Sequence, residues 1–241
     1  MNLPKKYLSY SQYALWKKNR DQYRARYYEN APPFETAETI FGKNIAETLE
    51  DKNLVEKHPV LSLIPRYSEP EYSVKVEIEG IPLMGYLDSY DPEGHAICEY
   101  KTGHLSIDGK VPWNDVKVAK HEQLPFYSLL IKTAHGKVDP KVKLVWIETK
   151  FKNKNIEFNG NTLTSQTREL ELTGKFQVFE RHIYKWELDK MKENIIKVAK
   201  EIHEDFTAYQ QVYEKDSKTI PSEKPEDQGT LPRDEQTVSR G

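Results

Sequence analysis

Between residues 73 and 101 three short strand-like stretches follow one another, the first alternating apolar and polar side chains with period two, and nothing else in the sequence restricts the fold as strongly. Ser73-Val74-Lys75-Val76-Glu77-Ile78-Glu79 is broken by Gly80-Ile81-Pro82. Leu83 to Tyr90 ends in the turn Asp91-Pro92-Glu93-Gly94, and His95 to Lys101 follows. Connections this short join only antiparallel neighbours, so the three stretches are expected to form a meander. Around them the pattern is helical. Ser9 to about Tyr28 reads as a helix that stops before Pro32-Pro33, with Ser9 and Gln12 placed as a capping box. Thr36 to about Lys52 carries Phe41, Ile45 and Leu49 at four-residue spacing, whereas residues 53–70, punctuated by Pro59, Pro65 and Pro70, read as loop. After the meander the pattern predicts one helix from about Asp115 to His135, ended by Gly136, and strands at roughly 141–151 and 167–181. A long amphipathic helix then runs from about Lys185 to Tyr213, with Trp186, Met191, Ile195, Val198 and Ile202 on one stripe. The order predicts a single α+β domain over residues 1–214, with a mostly antiparallel or mixed central sheet flanked by helices. Residues 215–241, dominated by Pro, Ser, Lys, Glu and Asp, read as a disordered charged tail.

Composition excludes several classes. An aromatic content of 11% is too high for a disordered chain, even at a mean hydropathy of −0.80. No apolar run approaches the length of a membrane span, and Met1-Asn2-Leu3-Pro4-Lys5-Lys6 has no apolar stretch behind its charges, so a cytoplasmic protein without a secretory signal is expected. Cys98 is the one cysteine, which rules out an internal disulfide or a thiolate cluster. A net charge of −2 argues against coating nucleic acid by bulk charge. The first thirty residues nevertheless hold seven bases against two acids, among them Lys17, Lys18, Arg20 and Arg24, interleaved with Tyr10, Tyr13, Trp16, Tyr23 and Tyr27. That pattern suits phosphate and base contacts, or, more simply, a solvated face with its aromatics packed inward. His95, His104, His121, His135, His182 and His203 show no ligand spacing and read as surface or loop; neither a phosphate-binding glycine loop nor a serine nucleophile elbow occurs.

Two carboxylates and a lysine carry the chemistry. Glu99 and Lys101, two apart in a strand, share a face, and the turn before them brings Asp88 alongside. Rigidly held carboxylate oxygens suit a hard cation such as Mg²⁺ or Mn²⁺, and a neighbouring lysine suits phosphodiester hydrolysis. A second set of similar spacing, Asp139 with Glu148 and Lys150, is set aside because Asp139 precedes Pro140 in a loop. The bland alternative for the first set is a cross-strand ion pair on a solvated face.

Four stretches together resemble the PD-(D/E)xK phosphodiesterase superfamily, in its RecB-type and phage exonuclease-like branch. They are Leu8-Ser9-Tyr10-Ser11-Gln12-Tyr13, Phe41 to Glu50, Gly85-Tyr86-Leu87-Asp88 with Glu99-Tyr100-Lys101-Thr102-Gly103, and Gln123-Leu124-Pro125-Phe126-Tyr127. The resemblance implies a restriction-endonuclease-like core and a Mg²⁺- or Mn²⁺-dependent deoxyribonuclease, most simply an exonuclease of phage or bacterial recombination, replication or repair. By it, Asp88, Glu99 and the main-chain carbonyl of Tyr100 bind the metal and Lys101 is the catalytic lysine. Gln123 and Tyr127 contact the scissile strand or order the site. Many members have a histidine where this chain has Ala46; Glu47 is then the expected first-helix ligand, with Glu50 second. The iron–sulfur cysteines of some branch members are missing. The substrate implied is DNA, at linear ends or as single strands, and the branch leaves room for a homo-oligomer and for a recombination or single-strand-annealing partner protein. A catalytically idle DNA-binding or scaffolding subunit of the same fold is the rival reading. A site-specific restriction-type enzyme lacks support, because no segment is long enough to read base edges in the major groove.

Overall fold

The computed structural model describes residues 1–219 except 58, 137–138, 153–155, 160–161 and 167–168. The meander is present as β2 (Glu69–Ile78), β3 (Ile81–Asp91) and β4 (Ala96–Gly103). Glu79 and Gly80, both at positive φ, make the tight turn between the first two. β5 (Lys141–Phe151) and β8 (Leu170–Arg181) lengthen the sheet beyond β4, and the two-residue β1 (Leu8–Ser9) joins it by pairing with β3. β6 (Ile156–Asn159) and β7 (Thr162–Gln166) form a separate ribbon that the sequence pattern did not reveal.

Register explains where a site can form. β3 pairs antiparallel with β2 along nearly its whole length. On its other edge it pairs with β4 only at Ser89–Cys98, Tyr90–Ile97 and Asp91–Ala96. From there β4 follows β5 in parallel, from Ala96–Lys141 to Gly103–Glu148, while β1 pairs with β3 at Leu83 and Met84. Leu83 also pairs with Val76 of β2, and Ser89 with Pro70, so β1 and β4 share one edge of β3. The sheet therefore forks between Gly85 and Asp88. It is mixed, as expected, with β5 and β8 antiparallel.

Helices cover both faces. On one lie α1 (Tyr10–Lys18), α2 (Arg20–Tyr27), α6 (Asp115–Ala119), α7 (Gln123–His135) and α8 (Lys185–Thr219), around a core that includes Trp16, Tyr23, Leu87, Ile97, Phe126, Leu144 and Ile195. On the other lie α3 (Ala37–Glu50), α4 (Lys52–Glu56) and α5 (Pro59–Ser62), around Ile45, Leu49, Val55, Cys98, Tyr100, Val145 and Ile147. Strand alternation sorts the side chains: Ile97 joins the first core, Cys98 and Tyr100 the second.

Several boundaries differ from expectation for identifiable reasons. The first helix is two, because the Asn19 side chain accepts from Gln22 N and starts a new helix. The single helix expected over 115–135 breaks at residues 120–122. Pro125 cannot donate to a carbonyl four residues back, so it stands in the first turn of a fresh helix. The region expected as loop holds α4, capped by the Asp51 carboxylate, and α5. Trp186, expected on the buried stripe of the last helix, is 63% exposed, whereas Met191, Ile195, Val198 and Ile202 are buried. That helix continues to Thr219, past Tyr213; the rest of the expected tail, 220–241, lies outside the described residues. No described helix is long and apolar enough to cross a membrane.

Candidate active site

The fork brings the expected residues together. Where β4 leaves β3, the main-chain N–H of Tyr100 finds no backbone acceptor on β3; it donates instead to Asp88 Oδ2 at 2.7 Å. A residue's N–H and C=O lie on the same edge of a strand, so the Tyr100 carbonyl opens toward the same gap. Glu99 and Lys101 lie on the opposite face from Tyr100, toward α7. Lys101 Nζ donates to Glu99 Oε1 at 2.5 Å and to Gln123 Oε1 at 2.9 Å, and Gln123 Nε2 donates to the Tyr127 hydroxyl at 3.1 Å. The i, i+4 spacing of Gln123 and Tyr127 makes that last contact possible. Gly85 lets α7 approach: a Cβ there would stand 2.6 Å from Leu130 Cδ1 and 3.2 Å from Tyr127 Cε1.

The electrostatics are those of a site short of positive charge. Burial, then Asp88, pushes the Glu99 carboxyl up to about 8. Burial also raises Asp88, against the pull of Lys101 and the Tyr100 N–H. Burial opposes the Lys101 charge as well, yet Glu99 and Asp88 outweigh it and the ammonium is held above its ordinary value. Glu99 Oε2 is buried and has no hydrogen-bond partner among the described residues. An orphaned carboxyl oxygen beside a second carboxyl group and an open carbonyl fits a divalent cation that takes hard oxygen donors. Among the described residues no three His, Cys, Asp or Glu side chains converge as a metal cage. Asp88, Glu99 and the Tyr100 carbonyl by themselves would leave positions for water and a substrate phosphate.

α3 closes the site from the other face. Gly42 allows contact with β4, a Cβ there falling 2.8 Å from Thr102 Oγ1. Ala46 lines a cavity of about 270 Å³ with Tyr100 and Lys101. Glu50 is half-buried and lines a cavity of about 210 Å³ with Asp88, Ser89 and Tyr100; burial, then Glu71, Glu47 and Asp88, raise its carboxyl. Glu47 does not line that cavity. It is exposed and faces Lys43 at 3.9 Å. Of the two first-helix acids, the structure thus brings Glu50 and not Glu47 to Asp88. Glu71, which the sequence reading did not single out, stands on β2 at the gap in the ladder opposite Asp88, at φ +45°, and its charge bears on both Asp88 and Glu50.

The bases of the N-terminal helices are mostly paired within the chain. Lys17 Nζ pairs with Glu122 at 2.7 Å, Arg20 with Glu201 at 2.5 Å, and Arg24 with Asp205 through two contacts at 2.5 and 3.0 Å. These three expected DNA contacts are therefore committed to holding α1 and α2 against α7 and α8; Lys18 remains exposed, without an ion pair among the described residues. The aromatics pack inward, Tyr13, Trp16 and Tyr23 being fully buried. Cys98 faces α3, away from Glu99 and Lys101, and burial pushes its thiol up to about 12. Asp139 and Lys150 of the set-aside trio pair with Lys132 and Glu171 instead. His121, expected as surface or loop, is half-buried with Nε2 unpartnered; burial, then Lys101, holds its imidazole down at about 4.

The sequence profile of the PD-(D/E)XK nuclease superfamily matches residues 52–227. No curated protein sequence matches the chain. Among solved structures, a candidate exonuclease from Eubacterium rectale superposes with a TM-score of 0.53 at 12% identity, over 83% of this chain and 82% of that one. A phage-related exonuclease from Haemophilus somnus 129PT gives 0.49 at 14% identity, over 80% and 83%. The first likeness shows a shared fold.

Proposed function

This chain belongs to the PD-(D/E)XK nuclease superfamily, and on that premise we propose that it is a divalent-metal-dependent deoxyribonuclease acting as an exonuclease in phage or bacterial DNA recombination, replication or repair. The observation that carries the reading is the buried set at the fork: Asp88, Glu99 with its orphaned oxygen, and Lys101 fixed by Glu99 and Gln123. The same motifs that resemble the exonuclease branch supply the exonuclease part of it, and the name of the Eubacterium rectale protein agrees with it.

In this reading Asp88, Glu99 and the Tyr100 carbonyl hold Mg²⁺ or Mn²⁺, and Glu50 contributes from α3. Bound there, the ion would supply Lewis-acid chemistry, polarising the scissile phosphate and making a water acidic enough to attack at neutral pH. Lys101 enters as an ammonium, since its partners keep it protonated. It orients the attacking water and balances charge developing on the phosphate oxygens, an electrostatic role that a fixed donor performs without reorganising. Gln123 positions that ammonium through Oε1 and is itself held by Tyr127. Gln123 and Tyr127 also line a cavity of about 440 Å³ with Lys5, Ser9, Ser11 and Tyr86.

One observation favours a second reading. Ala46 offers no donor at the cavity beside Lys101, which suits an idle DNA-holding subunit. End-labelled linear, circular and single-stranded DNA, each with Mn²⁺, Mg²⁺ or EDTA, separate the two. Metal-dependent loss of linear DNA only, falling by about a hundred- to a thousandfold in Lys101→Ala, is the expected result. Cleavage of circles would make the enzyme an endonuclease. DNA binding indifferent to metal, with no products, would establish the idle subunit.

A further inference from the structure

The cations expected to meet DNA on α1 and α2 are largely spent on internal pairs, which leaves open where a substrate strand lies. A different surface has the required chemistry. Between the α6–α7 corner and the first turns of α8 is a cavity of about 280 Å³. Trp186 and Lys190 stand four residues apart on one face of α8 and both line it, with Lys120 opposite, at the end of α6. Its two acids are already committed: Glu122 to Lys17, and Glu187 to Arg181. Lys120 and Lys190 are exposed and make no ion pair among the described residues, so the cavity presents two uncompensated positive charges. Trp186 is 63% exposed, although α8 has a buried stripe on which an indole would be covered.

We propose that this cavity takes a single DNA strand, with a base stacked on Trp186 and the flanking phosphates on Lys120 and Lys190. Three arguments select that occupant. The charge is complementary to a phosphodiester backbone. An indole face can stack only on a base whose own face is free, which excludes bases inside a duplex. The position is also next to the site along the chain, because His121 and Glu122 line the cavity and the following residue, Gln123, bonds Lys101. The inference rests on the nuclease reading and adds to it the form of the substrate and a place on the surface where a strand is held.

The test uses the full chain in EDTA, so that nothing is cleaved, with fluorescein-labelled oligothymidylate and a labelled duplex followed by anisotropy. Trp186→Ala should weaken oligothymidylate binding at least about fivefold and leave duplex binding unchanged. Lys120→Gln/Lys190→Gln should lower the log–log salt slope by about 1.4, two phosphates at about 0.7 each. All three side chains are exposed, so thermal midpoints should match the parent, which separates lost contacts from lost fold. Oligothymidylate affinity and slope unchanged in both variants would overturn the inference; if the parent still cleaves linear DNA with Mg²⁺ or Mn²⁺, the nuclease reading stands without it. Duplex affinity falling as far as single-strand affinity would overturn the single-strand occupant. A parent that neither binds nor cleaves DNA would overturn both, and would do so before any variant is made.

Discussion

Glu99 stands where a lone carboxylate does not stay ionised. Burial, then Asp88, lifts it to about 8, above its value in an unfolded chain. In metal-free protein the folded state therefore favours the protonated form. The stability this contributes is fully present below the unfolded value and is lost as pH rises through about 8. Glu99→Gln copies the protonated form at every pH. Between about pH 5 and 8 in EDTA the parent should lose roughly 3–4 kcal/mol more than the variant, read from urea unfolding. Equal losses would mean that Glu99 titrates normally. Strand parity made this residue legible in the sequence together with Lys101, because a period of two leaves no freedom about which side chains share a face. The choice between Glu47 and Glu50 was not legible in that way. It turns on the rotation of α3 about its axis, which is set by the close approach of Gly42 to Thr102 across the two layers.

At the scale of elements, the site depends on how closely α7 lies on β3. Gly85 is the contact point, and its neighbours Leu130 and Tyr127 are both buried with little room to yield. Gly85→Ala should cost about 1–3 kcal/mol in urea unfolding. It should also reduce cleavage by more than that loss explains at temperatures where the variant is folded, because displacing Tyr127 moves Gln123 and with it the Lys101 ammonium. Full activity in the folded variant would show that α7 is packing alone. The pairing of α2 with α8 makes the opposite prediction. Arg24 and Tyr28 both reach Asp205, and Arg24 holds that carboxyl below the usual range. Arg24→Ala should cost about 1–2 kcal/mol of stability and leave DNA affinity, measured by anisotropy, within about twofold. A large loss of affinity at unchanged stability would restore Arg24 as a phosphate contact. Most elements were legible from periodicity, and two of the misplaced boundaries carry their own signals: Asn19 as a cap and Pro125 as a helix start. The Arg24–Asp205 contact carries none. It joins residues 181 positions apart, and no local pattern distinguishes a base that will meet such a partner from one left in solvent.

At the scale of the whole molecule, the sheet separates two cores of unequal size. The larger gathers α1, α2, α7 and α8; the smaller holds α3 to α5 against the opposite face. Asp88 and Glu99 belong to the sheet, whereas Glu50 belongs to the smaller layer, so a cation on the sheet carboxylates that drew Glu50 toward it would tie that layer to the sheet. Without it, the carboxylates of Glu50, Glu71 and Asp88 repel across the same gap. A bound ion at about a hundredfold excess over its Kd should add about 2.7 kcal/mol of stability, and its effect should be uneven. Amide exchange, followed by mass spectrometry with and without Mg²⁺ or Mn²⁺ on uncleaved protein, should slow most within residues 37–56 and around Asp88 and Tyr100. Slowing in the α1–α2 and α8 segments should be smaller. Glu50→Gln should keep the protection around Asp88, lose it within 37–56, and weaken the ion about tenfold or more. Asp88→Asn should lose both. If the ion protects the sheet in the parent while α3 exchanges as before, Glu50 is not a donor and the two layers respond separately. If it protects α3 in Glu50→Gln as well, the layers are coupled by packing through Gly42 and Thr102 and the carboxylate is dispensable. The unequal cores make the experiment decisive, since the layer with less buried area is the one whose opening a single added contact can change most.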